Sequence, residues 1–201
     1  MKYDPAIHHR RSIRLKGYDY TQPGAYFVTL VSYHRDEILG ALEKGVMKLS
    51  PLGQIVHDEW MRSADIRKEI ILFEDEFVVM PNHLHGIVWI VEADGISPAV
   101  GADGVRPEIT SQSDRGACHA PLPKRPPRSL SSFVAGYKAS VTGRAQRELN
   151  ISEIWQRNFF DRIIRNEKEF QAIWNYIDHN PQKWVEDQLH PSASPNPFNR
   201  E

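Results

Sequence analysis

The sequence predicts a single α+β domain, a sheet with helices packed on it, and three observations lead there. The chain has 201 residues, 40% hydrophobic and 25% charged, enough for one core and ordinary for a soluble globular protein. The stretches 25–33 and 71–91 are dense in β-branched and aromatic residues, the composition of strands. The stretches 51–67, 129–149 and 166–180 place apolar residues three and four apart, the period of helices that bury one face.

Taken in order, the turn Gln22-Pro23-Gly24 introduces the first strand at 25–33, and a shorter strand follows at 46–49. Ser50-Pro51 opens a helix, with Ser50 as N-cap and Pro51 at the first helical position, and Ile55, Val56, Trp60 and Met61 form its stripe as far as Arg67. Two strands lie within 71–91, parted at Met80-Pro81-Asn82 because proline cannot donate to a sheet ladder. From about 92 to 128 the chain turns to Gly, Pro, Ser and Asp and reads as a mobile insertion. The helix from Ser129 to about Leu149 carries Leu130, Phe133, Val134, Tyr137 and Val141. One strand or two short ones follow in 154–164. A last helix starts at the N-cap Asn166, with Glu167 and Glu169 placed to meet the helix dipole, and stops at Asn180 because Pro181 follows. Residues 1–184 are thus read as the domain and 185–201 as a tail without periodicity.

Composition excludes several classes. No run is long enough to cross a bilayer and the N-terminus lacks the apolar centre of a signal peptide, so a cytoplasmic protein is expected. Cys118, the only cysteine, permits neither an internal disulfide nor a cysteine-built zinc site and reads as a loop thiol. A zinc deaminase is excluded, since no Pro-Cys-x-x-Cys follows a His-x-Glu. The net charge of -1 gives no global case for a polyanionic partner; the local basic runs are 8–16 and 124–128.

The chemistry concentrates in His83 and His85, two imidazoles inside the apolar run 77–91. Residues two apart on a strand point the same way, so the pair can close on one divalent cation. A lone His-x-His is more often two hydrogen-bonded histidines than a ligand pair. The last helix offers a second half. Tyr176 and Asn180, four residues apart, stack one turn above each other at the edge of the stripe formed by Phe170, Ile173, Trp174 and Ile177. A phenol with a pKa of about 10 is a weak nucleophile, which a metal-polarised phosphoryl group would suit, and Asn180 offers an oxygen as third ligand. Such a tyrosine is more often packing than nucleophile. Two imidazoles and an amide oxygen leave open positions, which favours Mg²⁺ or Mn²⁺ over structural zinc. Tyr137 falls on an apolar stripe and reads as core; His57, His119, His179 and His190 have no partner at ligand spacing.

Five motifs in order extend this reading: Arg11-Ser12-Ile13-Arg14-Leu15-Lys16-Gly17-Tyr18-Asp19-Tyr20, Gly24-Ala25-Tyr26-Phe27-Val28-Thr29, Phe77 through Gly86, Trp155-Gln156-Arg157-Asn158, and Tyr176-Ile177-Asp178-His179-Asn180-Pro181. Together they resemble the REP-associated tyrosine transposases, a branch of the single-tyrosine HUH transposases, over about residues 10 to 184 without the insertion. The resemblance implies a ferredoxin-like antiparallel sheet with helices. It also implies metal-dependent cleavage and joining of single-stranded or hairpin DNA through a transient 5′-phosphotyrosine. Matched residue by residue, it makes His83 and His85 the ligand pair, Tyr176 the nucleophile and Asn180 the helix-borne ligand. Where the family's aromatic pair often contains tyrosine, this chain has Phe159-Phe160, which can donate no hydroxyl.

For DNA contact the candidates are Arg10, Arg11, Arg14, Tyr18, Lys138 and Arg157, cations for phosphates or base edges and an aromatic ring for stacking on unpaired bases. Plain surface charge accounts for the cations about as well. A host-adopted hairpin-binding protein without cleavage, or a metal-dependent phosphohydrolase of small nucleotides, would use parts of the same residue set, and either a monomer or a homodimer fits.

Overall fold

In the computed structural model the described residues are 15, 17–91 and 127–194. Residues 92–126 of the expected 92–128 insertion, the N-terminal arginines Arg10, Arg11 and Arg14, Cys118, His119, most of the 124–128 basic run and the last seven residues lie outside them.

The strands are β1 (Gly24–Val31), β2 (Gly40–Glu43), β3 (Val46–Leu49), β4 (Ile70–Ile71), β5 (Phe77–Met80), β6 (His83–Ile90) and β7 (Phe160–Ile164). The helices are α1 (Pro51–Ile66), α2 (Leu130–Leu149) and α3 (Glu167–His179). The main sheet is antiparallel throughout, with β6 and β1 at its centre. On its outer edge β6 takes β4 beside Trp89 and Ile90 and β5 beside the segment 83–86, while β1 takes β7. β1 and β6 pair along their full lengths, from Gly24 opposite Ile90 to Val31 opposite His83. This is the α+β, antiparallel-sheet architecture that the sequence predicts.

Alternation in the two central strands sorts the core into two layers. Val28, Leu30, Leu84, Val88 and Ile90 pack with Val56 and Trp60 of α1 and with Phe133, Tyr137 and Val141 of α2. Ala25, Ile87, Trp89 and Ile164 pack with Phe170, Ile173 and Ile177 of α3 on the opposite face. Burying each of these large side chains contributes roughly 1.5–3 kcal/mol. Gly86 is required where α1 meets β6: a Cβ there would lie 2.4 Å from the Trp60 ring, which stacks on Phe77 at 4.7 Å.

The two N-caps that the sequence predicts, Ser50 and Asn166, form, and Ser129 and Asn150 add caps that it does not name. The side chains of Ser50, Ser129 and Asn166 accept from Gly53, Ser132 and Glu169 amides, and Asn150 ends α2 in the left-handed region. The hairpin β2–β3 supplies a strand that the sequence did not announce. Its two turn residues, Lys44 and Gly45, both have positive φ, the two-residue turn that joins twisted strands. The stretch 154–164 resolves into β7 and a single bridge between Trp155 and Ser32. Beyond Trp184 the chain does not trail away: a 3₁₀ segment Pro181–Glu186 leads to Asp187 and Leu189, both buried.

Candidate metal and nucleophile site

His83 and His85 open β6 on the face that α3 covers, and both are buried. The Pro81-Asn82 break ends β5 just before them, so the pair sits at the end of the sheet, and alternation aims both rings to one side. Their Nε2 atoms face each other at 3.0 Å. Each ring is held from behind through Nδ1: His83 by the Asn82 side-chain oxygen at 2.8 Å, His85 by the Thr29 hydroxyl at 2.8 Å. Asn82 is anchored in turn, its amide nitrogen donating to the carbonyls of Arg35 and Leu189. Phe27 stacks on His85 with ring centres 5.2 Å apart, and Trp184 lies 5.8 Å from His83.

The last helix brings Tyr176 to the same place. Its hydroxyl is 3.1 Å from His85 Nε2 and donates to Asp187 Oδ2 at 3.2 Å, yet the residue is 45% exposed, so a substrate can reach it. Asn180, one turn on and buried, donates from Nδ2 to the same Asp187 oxygen at 3.0 Å. Its Oδ1 is buried without a hydrogen-bond partner. The second Asp187 oxygen accepts from the Leu189 amide. Among the described residues, His83, His85 and Asp187 form a group whose ligand atoms all lie within 4.8 Å of one another.

Burial sets the protonation of this cluster. It pushes the His83 imidazole down to about 3. Burial and the neighbouring His83 hold His85 well below the ordinary histidine value, with Asp187 opposing. Both rings are therefore neutral at pH 7 and offer lone pairs. The Tyr176 phenol is raised, first by burial and then by the Asp187 charge and hydrogen bond, with Asn180 opposing, so it is protonated at rest. Two imidazoles, a carboxylate and an unpartnered amide oxygen make a mixed nitrogen and oxygen donor set that fits a divalent cation.

The four residues singled out in sequence for metal and nucleophile, His83, His85, Tyr176 and Asn180, thus come together. Three that sequence reasoning missed join them. Asp187 falls in the stretch read as a tail; its signal is an acid eleven residues after the tyrosine, which no periodicity marks. Thr29 and Asn82 stand inside two of the five motifs without a role, and only the fold sets them behind the rings.

Of the DNA-contact candidates, Arg157, Lys138 and Tyr18 lie among the described residues; the first two meet at one loop and the third lies elsewhere. Arg157 is exposed, in the loop that bonds to the end of β1 through the Gln156 amide and the Val31 carbonyl, beside His83. Lys138 donates to the carbonyls of Gln156 and Asn158, so it pins that loop, and burial lowers its ammonium to about 8. Tyr18 is hydrogen-bonded to Tyr26, whose side chain belongs to the α1 and α2 layer and not to the histidine face. Tyr137 is core as expected, donating to the Val56 carbonyl.

No protein-family model matches the chain. A protein of Haemophilus influenzae described only as uncharacterized is 36% identical over 197 residues, spanning 94% of this chain and 97% of its own. A solved REP-associated tyrosine transposase bound to a REP hairpin shares the fold, with a TM-score of 0.52 and 18% identity over 94% of this chain and 95% of that one. No helix among the described residues is long and apolar enough to cross a membrane.

Proposed function

This chain belongs to one family with the Haemophilus influenzae protein and has the fold of a REP-associated tyrosine transposase, and on that premise we propose that it cuts and rejoins single-stranded DNA through Tyr176. The observation that carries the reading is the half-exposed phenol within hydrogen-bond reach of both a buried imidazole and a buried carboxylate. The substrate is a single strand containing a hairpin, by analogy with the structural relative, which is bound to a REP hairpin.

His83 and His85 would hold the cation through Nε2, with Asp187 and Asn180 as the oxygen donors. A bound Mg²⁺ or Mn²⁺ supplies positive charge against a non-bridging phosphate oxygen, where negative charge builds during transfer. Tyr176 starts as a neutral phenol and must lose its proton as it attacks; Asp187 Oδ2, already its acceptor, is placed to take it. The Tyr176 oxygen forms a bond to phosphorus, the bond from phosphorus to the 3′ oxygen breaks, and that oxygen leaves as a 3′-hydroxyl after protonation. The 5′-phosphotyrosine keeps the ester, so a 3′-hydroxyl of another strand can reverse the step without an external energy source. Phe27, stacked on His85 and edge-on to Tyr176 at 6.1 Å, fixes the ring that approaches the phosphate. Arg157 together with Arg10, Arg11 and Arg14 would take flanking phosphates, Tyr18 an unpaired base, and Lys138 would act by holding the Arg157 loop.

The test uses labelled single strands of the repeats flanking the gene, with Mn²⁺. The wild-type chain should form a denaturant-stable protein-DNA adduct, and Tyr176→Phe should still bind DNA but form none. An adduct of undiminished yield in Tyr176→Phe would reject the assignment. A nucleotide phosphohydrolase would turn over small substrates and leave no adduct, and a pure hairpin binder would bind without cutting.

A further inference from the structure

A cavity of about 460 Å³ opens at the same end of the sheet, within the size range of small-ligand pockets, roughly 300–1,000 Å³. One wall is the loop 34–37 that follows β1; the other is formed by Leu189, His190 and Pro191, beyond the last 3₁₀ segment. Asn82 ties the two walls to each other and to the histidine pair. Its Nδ2 donates to the Arg35 carbonyl at 3.2 Å and to the Leu189 carbonyl at 2.8 Å, and its Oδ1 lies 2.8 Å from the His83 ring. A row of rings makes a second link, since Trp184 lies 5.8 Å from His83 and 4.8 Å from His190. Both walls are thus one side chain removed from the proposed metal ligands.

The wall 34–37 is strained and its charges are unpaired. His34 and Arg35 both have positive φ, 54° and 62°, a conformation that residues other than glycine rarely adopt in succession. Asn82 holds it through the Arg35 carbonyl, and the Ser32 hydroxyl through the Asp36 carbonyl at 2.8 Å. Arg35 Nε is buried without a hydrogen-bond partner, and among the described residues the Asp36 and Glu37 carboxylates have neither an ion pair nor a hydrogen bond. A guanidinium and two carboxylates around one cavity are therefore all available to a ligand that carries acceptors on one edge and donors on another.

We propose that this cavity receives one unpaired guanine of the substrate strand, close to the phosphate that Tyr176 attacks. Guanine offers the acceptors O6 and N7 together on one edge, which the Arg35 fork matches. On its Watson–Crick edge it offers N1–H and N2–H side by side, which a carboxylate of Asp36 or Glu37 accepts, and that edge is open only when the base is unpaired. Adenine and cytosine would set a ring lone pair against the carboxylate, and thymine has a single N–H between two carbonyls. Tyr33, 38% exposed with its ring 4.0 Å from that of His34, supplies a stacking face at the rim. A base held here fixes the register of the strand, so it decides which phosphate comes to lie beside Tyr176.

The inference rests on the reading of the chain as a protein that acts on single-stranded DNA, and its test reads binding alone. Fluorescence anisotropy of the full-length chain in EDTA, where no strand is cut, is measured with the hairpin of the flanking repeat carrying a flank of thymines along which one guanine is walked. At one position guanine should bind roughly 5- to 150-fold tighter than adenine or cytosine, the discrimination of a bidentate base contact. Inosine, which lacks the exocyclic amine, should fall between. In Asp36→Ala/Glu37→Ala guanine and inosine should bind alike. Arg35→Lys keeps the charge without the fork, so it should keep the salt dependence while losing most of the preference over adenine. Absence of any guanine-preferring position, or a preference that survives in both variants, overturns the proposal. So does an equal loss for every base, which would make these residues contacts to the strand's backbone, and so does tighter binding of free guanosine monophosphate than of the strand, which would make the cavity a nucleotide site. Guanine preference without a covalent adduct would remove the cleavage reading and leave the pocket; an adduct without guanine preference would do the reverse.

Discussion

At the level of single residues, Asp187 connects what would otherwise be two half-sites. One of its oxygens receives both Tyr176 and Asn180, and the carboxylate completes a three-ligand group with the histidines. Asp187→Asn keeps the shape and removes the charge, so Mn²⁺ affinity should drop by about tenfold or more. The Tyr176 phenol, raised in part by that charge, should ionise at lower pH. An EPR titration reads the first and ultraviolet difference titration the second; unchanged Mn²⁺ binding would remove Asp187 from the ligand set. Why this residue escapes a reading of the sequence is physical. His83 and His85 stand out because polar rings interrupt an apolar strand, and Tyr176 and Asn180 because they share a helical edge, whereas Asp187 lies in an irregular turn. Its role comes from a side chain that folds back on α3, and no period encodes that.

Secondary-structure elements with strong local signals are legible for the opposite reason. The caps Ser50 and Asn166 are local chemistry, decided within three residues, and the stripes of α1, α2 and α3 bury most of the side chains their spacing selects, Met61 and Trp174 only in part. The strand β2 is missed because Gly40, Ala41, Leu42 and Glu43 carry little β preference; pairing with β3 makes it a strand. The contact between α1 and β6 is also invisible in sequence, since a glycine in a strand does not announce which ring lies over it. There the close approach of Trp60 has a measurable consequence. Gly86→Ala pushes a methyl into the indole and should destabilise the fold by about 1–3 kcal/mol, the usual cost of overpacking. Adding Trp60→Phe removes the ring edge in the way, so the double variant should lose clearly less than the sum of the two single losses. Urea melts of the four proteins measure this, and strict additivity would show that the two positions do not meet. Because Gly86 follows His85, Gly86→Ala should also weaken Mn²⁺ binding.

Across the whole molecule, the site is a cost to the fold that depends on pH. His83 is pushed down to about 3 and His85 is lowered as well, both chiefly by burial, while in the unfolded chain each titrates near the ordinary value of about 6.5. Below that value the unfolded state binds protons that the folded state refuses, so stability contributed by the neutral pair is complete above about pH 6.5 and is lost as pH falls toward about 3. The slope approaches roughly 1.4 kcal/mol per pH unit for each histidine fully protonated in the unfolded chain. A cation on the two Nε2 atoms also requires neutral rings, so added Mn²⁺ should raise the melting temperature at pH 7.5 and lose that effect as the pH is lowered. Replacing both histidines by Asn removes the two titrating groups. Between pH 6.5 and 5, above the range where carboxylates dominate, the melting temperature of the double variant should therefore fall less steeply than that of the wild type, and it should not respond to Mn²⁺. Parallel slopes for the two proteins over that interval would mean that the pair is solvated and already protonated in the fold, which is incompatible with the buried donor set from which the metal site is built.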